Sequence, residues 1–228
     1  SISAGELGQP VWADWSPDGR RLAFVNTDGR TPSVSIWTLA SDEVRRIEVE
    51  YSLICCGIRW APDGKSLFAL ASFVGALRID LATGGAKTIV ANDSSGSVRG
   101  PLLAADGRTL YYVRWSLDGK RSLVARDLGT GAERKVSCCG TGAFALSPDG
   151  QSVAFLDWDV KSTATNPTSI QIKPSAGGES RTVYQAPSPA ESPLGSGGVS
   201  WSKDGRQLLF ARVGGDLMVV AAAGGTPR

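Results

Sequence analysis

The chain repeats one short cassette five times, and this constrains its fold more than any other feature of the sequence. The copies read WSPDGRRLAFV (15–25), WAPDGKSLFAL (60–70), LAADGRTLYYV (103–113), LSPDGQSVAFL (146–156) and WSKDGRQLLFA (201–211). Their aspartates, Asp18, Asp63, Asp106, Asp149 and Asp204, are spaced by 45, 43, 43 and 55 residues. Periods of this size belong to repeat architectures, in which each unit buries its apolar faces against its neighbours.

Each cassette is a hairpin. Proline pre-sets φ at the second turn position, aspartate bonds nearby backbone amides, and glycine takes the left-handed conformation that closes the bend. The flanking runs, such as Leu22–Val25 and Leu110–Val113, are apolar, aromatic or β-branched and of strand length. A second pair of runs follows each hairpin around another turn: 77–81 and 87–90 around Ala82-Thr83-Gly84-Gly85, 123–127 and 134–136 around Gly129-Thr130-Gly131, and 170–172 and 181–183 around Ala176-Gly177-Gly178. Four strands in about 43 residues is the arithmetic of a β-propeller blade. The expectation is an all-β propeller of four-stranded antiparallel blades, with five repeats visible.

A repeat running from end to end predicts one domain over residues 1–228. With 42% hydrophobic residues, 28 glycines and 12 prolines, the chain is turn-rich and large enough for a sizeable core. No run approaches the ~18 apolar residues of a membrane span. A net charge of +2 with scattered basic residues gives no nucleic-acid footprint. Residues 224–228 stand where other repeats begin their fourth strand, and residues 1–7 are a candidate closing strand for the last blade. Two arrangements fit: a closed five-bladed ring, or part of a propeller of six or seven blades.

The motif W-[SA]-P-D-G, followed by a polar residue, an apolar strand and a later D-L-x-T-G turn, resembles the WD-repeat-like blade of TolB-type propellers. The same pattern is similar to the propellers attached to prolyl oligopeptidase-type peptidases and to some bacterial sensor proteins. It covers nearly the whole chain and departs at Ala104-Ala105, at Lys203 and at the insertion 161–167. The resemblance implies a protein-interaction module on the periplasmic or extracellular side of a bacterial envelope. That is an inference from fold, because the motif encodes a turn.

Catalysis has little material here. The chain has no histidine, which removes Ser-His-Asp and Cys-His systems and every His-dependent metal site. No nucleophile elbow, phosphate loop or dinucleotide fingerprint is present. Asp157 and Asp159 are the one carboxylate pair to weigh against glycoside chemistry, and a solvent-facing strand end is the plainer reading. The expectation is a non-enzyme with no cofactor and no metal. The four cysteines form two vicinal pairs, Cys55-Cys56 and Cys138-Cys139, each in a connection between repeats. Three readings stand: disulfides linking the pairs, buried free thiols, and a soft-metal or redox site. Adjacent cysteines chelate one tetrahedral ion poorly, which weighs against the third.

Trp15, Trp60 and Trp201 share one inner-strand position with Leu103 and Leu146, and are expected in the core between blades. One residue earlier stand Asp14, Arg59, Leu102, Ala145 and Ser200. Asp14 and Arg59 there are expected to pair across neighbouring blades or to bind a small polar ligand. The loop 186–198, APSPAESPLGSGG with Glu191, is a candidate partner contact. Asp14, Arg59, Ser200 and Glu191 are thus the candidate binding residues, with a protein or peptide as the expected partner and a small polar ligand or glycan as the alternative. A propeller accessory domain of a larger enzyme is the remaining functional reading.

Overall fold

The computed structural model of the protein describes residues 10–26, 33–51, 58–71, 73–137, 143–158, 167–187 and 194–228. Among them are nineteen strands and no helix. The first sheet is β1 (Pro10–Trp15), β2 (Arg21–Asn26), β3 (Ser33–Thr38) and β4 (Glu43–Glu48). The second is β5 (Arg59–Trp60), β6 (Ser66–Ala71), β7 (Gly75–Asp80) and β8 (Ala86–Ala91), and the third β9 (Ser97–Leu103), β10 (Thr109–Trp115), β11 (Arg121–Asp127) and β12 (Glu133–Ser137). The fourth is β13 (Phe144–Leu146), β14 (Ser152–Asp157), β15 (Ser169–Pro174) and β16 (Arg181–Gln185), and the fifth β17 (Leu194–Trp201), β18 (Gln207–Arg212) and β19 (Leu217–Ala221). Each sheet is in sequence order, and the strand pairs are antiparallel. These are the blades of a β-propeller, one per cassette. The fifth has three strands, but Arg228 exchanges two backbone bonds with Val219, of 2.9 and 3.0 Å, at the fourth-strand place. Residues 1–7, the expected closing strand, lie outside the described residues.

The aspartates build turns. Asp18 Oδ1 accepts from the Ser16 hydroxyl at 2.6 Å and from the Arg20 N–H at 3.0 Å, while Ser16 Oγ accepts from the Arg21 N–H at 2.8 Å. The Ser147/Asp149 and Ser202/Asp204 turns repeat this pattern. Where repeat three has Ala104 in place of the serine, Asp106 instead takes the Thr109 N–H at 2.9 Å and its hydroxyl at 2.7 Å. The outer D-L-x-T-G turns use the same chemistry: Asp80 and Asp127 each accept two backbone N–H groups and one threonine hydroxyl.

Contacts within the chain divide it into two compact units, residues 1–117 with 126–133 and residues 118–125 with 134–228. In the first, a core of Val34, Ile36, Ile58, Leu67, Leu77 and Ile79 joins the first two sheets. All six residues of β6 are buried, Leu67 and Phe68 completely. Each large side chain buried this way contributes about 1.5–3 kcal/mol. Trp60 is fixed by its indole N–H, which donates to Asp14 O at 2.9 Å, and by Arg21, whose guanidinium carbon lies 4.6 Å from the ring centroid. In the second unit, Leu156, Ile170, Leu194, Leu208 and Phe210 form the core between the fourth and fifth sheets. There Trp201 repeats the device, its indole N–H donating to Ala145 O at 3.1 Å. Trp15 departs from the expected core position: among the described residues of its unit no sheet precedes β1, and Trp15 is 56% exposed.

The outer strands carry a second recurring contact. Arg45 donates to Ala82 O at 3.4 Å and Arg181 to Ala222 O at 2.6 Å, and Arg134 donates to Ser175 O. In each case an outer-strand arginine reaches a main-chain carbonyl in or just before the outer turn of the next sheet.

The short connection from β8 to β9 is closed by Asp93 and Gly96, which exchange backbone bonds of 3.0 and 3.1 Å. Gly96 has φ +139°, and a Cβ there would sit 2.2 Å from Trp115 O. Gly19, at φ +68°, has nothing within 4 Å of such a Cβ. Gly19→Ala is therefore expected to cost only the left-handed backbone penalty of about 1 kcal/mol, and Gly96→Ala more than ~2 kcal/mol, read from urea-denaturation midpoints. Equal costs at the two sites would contradict the close approach.

Candidate functional site

Two of the sequence-derived candidates come together. Arg59 Nη1 lies 3.5 Å from Asp14 Oδ1, and Asp14 Oδ2 also accepts the Trp60 N–H at 2.8 Å. Burial raises the Asp14 pKa, against the lowering effects of the Trp60 N–H and the Arg59 charge. The pair clasps the inner strands of the first two sheets, close to their Asp-Gly turns. Ser200 is exposed on β17 in the second unit. Glu191, Asp159 and all four cysteines lie outside the described residues.

A second constellation, which the sequence did not single out, lies on the third sheet. Residues two apart on a strand share a face, so Tyr112 and Arg114 of β10 point the same way. The Tyr112 ring is fully buried and its hydroxyl donates to Glu133 Oε1 at 2.6 Å. Arg114 Nη2 donates to the Tyr112 oxygen at 3.2 Å and lies 3.8 Å from Glu133 Oε1. Its Nη1 reaches Asp93 Oδ1 at 3.3 Å and Ser95 Oγ at 3.0 Å on the β8–β9 connection. Arg126 Nη1 of β11 donates to the same Glu133 oxygen at 2.7 Å.

Burial and the bond to Glu133 push the Tyr112 pKa up to about 12, more than the nearby Arg114 lowers it. Glu133 is held below the usual carboxylate range: burial opposes this, and the bonds from Tyr112 and Arg126 with the Arg114 charge outweigh it. Above the network opens a cleft of about 480 Å³, walled on its other side by Ile89, Val90 and Ala91 of β8. Arg114 was the legible signal, a cation closing an otherwise apolar run. Asp93, Arg126 and Glu133 had no mark to distinguish them from ordinary surface charges.

Beyond the cleft, the tips of two equivalent hairpins carry bare apolar side chains. Phe73, between β6 and β7, is 97% exposed, and Leu117, between β10 and β11, is 83% exposed. Phe73 also has φ +61°, a left-handed backbone in which a bulky residue is strained. The β8–β9 connection packs between these hairpins: the Asn92 N–H donates to Val74 O at 2.8 Å on one side, and Gly96 abuts Trp115 and Ser116 on the other. Among the described residues no three carboxylates or thiols converge as a metal site, and no helix is long and apolar enough to cross a membrane.

No protein-family profile matches the sequence, and no curated protein is detectably related to it. Solved structures do resemble it. TolB from Acinetobacter baumannii superposes with a TM-score of 0.73 at 20% identity, over 97% of this chain and 56% of the TolB chain. An oligogalacturonate lyase from Vibrio parahaemolyticus gives a TM-score of 0.63 at 12% identity, over 95% of this chain and 76% of the lyase. A chain of a nidogen/laminin complex gives 0.68 at 12% identity, over 93% and 76%. The chain therefore spans little more than half the length of the TolB chain it matches. At these identities the likeness shows the fold, which is that of the TolB-type propellers, and the structures that share it include one named as a lyase.

Two tests follow from the site chemistry. Asparagine at position 14 keeps an acceptor for the Trp60 N–H and removes a partly buried charge, whereas alanine leaves that N–H unpaired. Asp14→Asn is thus expected to change stability by less than ~0.5 kcal/mol and Asp14→Ala to cost about 1–3 kcal/mol by chemical denaturation, and equal losses would count against the bond. The pH profile should have two falling limbs. Asp18, Asp80, Asp106, Asp149 and Asp204 are held below 3.8 and Asp127 down to about 2, so their stabilisation is present above pH 3.8 and is lost as pH falls toward about 2. Tyr112 is raised from 10.0 to about 12, so its contribution is present below pH 10 and is lost as pH rises toward about 12. Melting curves of Tyr112→Phe are expected to flatten the alkaline limb, with a smaller weakening of the acid limb because Glu133 loses one of the bonds that hold it low.

Proposed function

We propose that this chain is a non-catalytic propeller module that binds a partner protein or peptide through the hairpin tips of its first unit, on the periplasmic or extracellular side of a bacterial envelope. The observation that carries the reading is Phe73, an almost wholly exposed aromatic side chain held in a left-handed backbone. Such a conformation costs about 1–2 kcal/mol and buries nothing in return, which is the signature of a residue kept for contact rather than folding. Leu117 offers a second anchor on the next sheet, and exposed apolar groups on a rigid frame suit an interface in which a few anchors carry the binding energy. The resemblance to TolB and to a chain of a nidogen/laminin complex supports an interaction role. Asp14 and Arg59 belong to the scaffold in this reading.

A random-peptide phage selection on the immobilised protein tests it. Selected peptides are expected to bind the wild-type chain and to weaken about tenfold or more, near 1.4 kcal/mol, on Phe73→Ser and on Leu117→Ser, with Phe73→Trp retaining binding. Both side chains are exposed, so melting temperatures should not fall. Failure to select any peptide, or selected peptides that ignore both substitutions, would overturn the assignment.

A further inference from the structure

We propose that the cleft above Glu133 binds a neutral saccharide. Its volume of about 480 Å³ lies within the ~300–1,000 Å³ typical of small-ligand sites. Its polar side chains are already held in place. Glu133 is fixed by Tyr112 and Arg126, and Arg114 is fixed by Tyr112, Asp93 and Ser95, so a ligand would meet a preset array and would not have to order it.

The hydrogen bonds left over define the ligand. Glu133 takes its bonds on Oε1 alone, and among the described residues Oε2 has no partner. Arg126 gives one bond, to Glu133, and its remaining N–H groups have no described partner. An acceptor and several donors therefore lie side by side. Two guanidinium groups are balanced by two carboxylates, Asp93 and Glu133. A free anion bonding to Arg126 would do so beside the Glu133 carboxylate, and a free cation at Glu133 would face both arginines. Neighbouring hydroxyls meet neither obstacle, since one donates to Glu133 Oε2 while the next accepts from Arg126. Ile89 supplies an apolar wall for the C–H face of a sugar ring.

An extended peptide added to the β8 edge is the competing occupant, and β8 disfavours it. The strand slips register opposite Ala76 and Leu77, leaving Ile89 as the extra residue of a bulge, and Lys87 stands two positions before it. Bulges and lysines on an edge strand block further strand pairing.

The test is titration of the ¹⁵N-labelled full chain with D-glucose, D-galactose, cellobiose and lactose, followed by amide shifts. At least one sugar is expected to bind with a Kd of about 10 mM or tighter, shifting amides of 89–95, 112–114, 126 and 133. Glu133→Gln and Arg126→Met should each weaken it about tenfold, while amides remote from the cleft keep their shifts and so show that both variants stay folded. D-galacturonate and inorganic phosphate should bind more weakly than the neutral sugars. Four outcomes overturn the proposal: no shifts up to about 50 mM of any neutral sugar, shifts confined to other parts of the chain, affinity unchanged in both variants, or tighter binding of the two anions. A strand-forming peptide that shifts these amides when no sugar does would assign the cleft to the competing occupant.

Discussion

Every side chain of β6 is buried, and a strand covered on both faces cannot belong to an isolated sheet. Sheets of five- or six-residue strands are too small to close a core on themselves, so each needs a neighbour. The rest of the first unit answers that demand. Trp60 seals the inner edge between the first and second sheets, Arg21 covers the indole, and Arg45 ties the outer edge. The second unit solves the same problem with Trp201, Arg181 and Arg134. The Asp-Gly turns are subordinate to this: they set where each hairpin bends so that its apolar residues meet the next sheet.

The same packing creates the cleft. Around the cleft Arg114, Arg126 and Glu133 are partly covered, and such charges must be paired, as they are with one another and with Asp93. Tyr112 bridges the two regimes, its ring in the core and its hydroxyl in the network. A tyrosine there lets a buried strand end in polar chemistry without an unpaired group. The site is thus built where the β8–β9 connection meets Arg114 of β10, with Arg126 and Glu133 beside it.

The architecture was legible because turn chemistry and strand patterning are local and recur at a fixed interval. Trp60 and Trp201 could be placed from their repeat position; Trp15, at the same position, is exposed, because burial is set by neighbours that the repeat position alone does not name. Asp14 and Arg59 were visible as polar residues at one repeat position. The Tyr112 network was not, since Asp93, Arg114, Arg126 and Glu133 come from four separate segments and only tertiary packing brings them together. Phe73 was hidden for the opposite reason: an apolar residue beside an apolar strand looks like core until the backbone turns it outward.

The tryptophan contact has a consequence for divergence. Trp60 and Trp201 bond to main-chain oxygens, those of Asp14 and Ala145, which occupy the same place in their repeats. Any residue presents that oxygen, so the indole contact itself does not depend on the side chain at that position, although Asp14 adds a clasp of its own through Arg59 and the Trp60 N–H. Across the five copies that side chain is Asp, Arg, Leu, Ala and Ser. A chain built this way can rewrite one row of side chains along its inner strands, changing charge or size from copy to copy, while the indole contacts of Trp60 and Trp201 stay as they are.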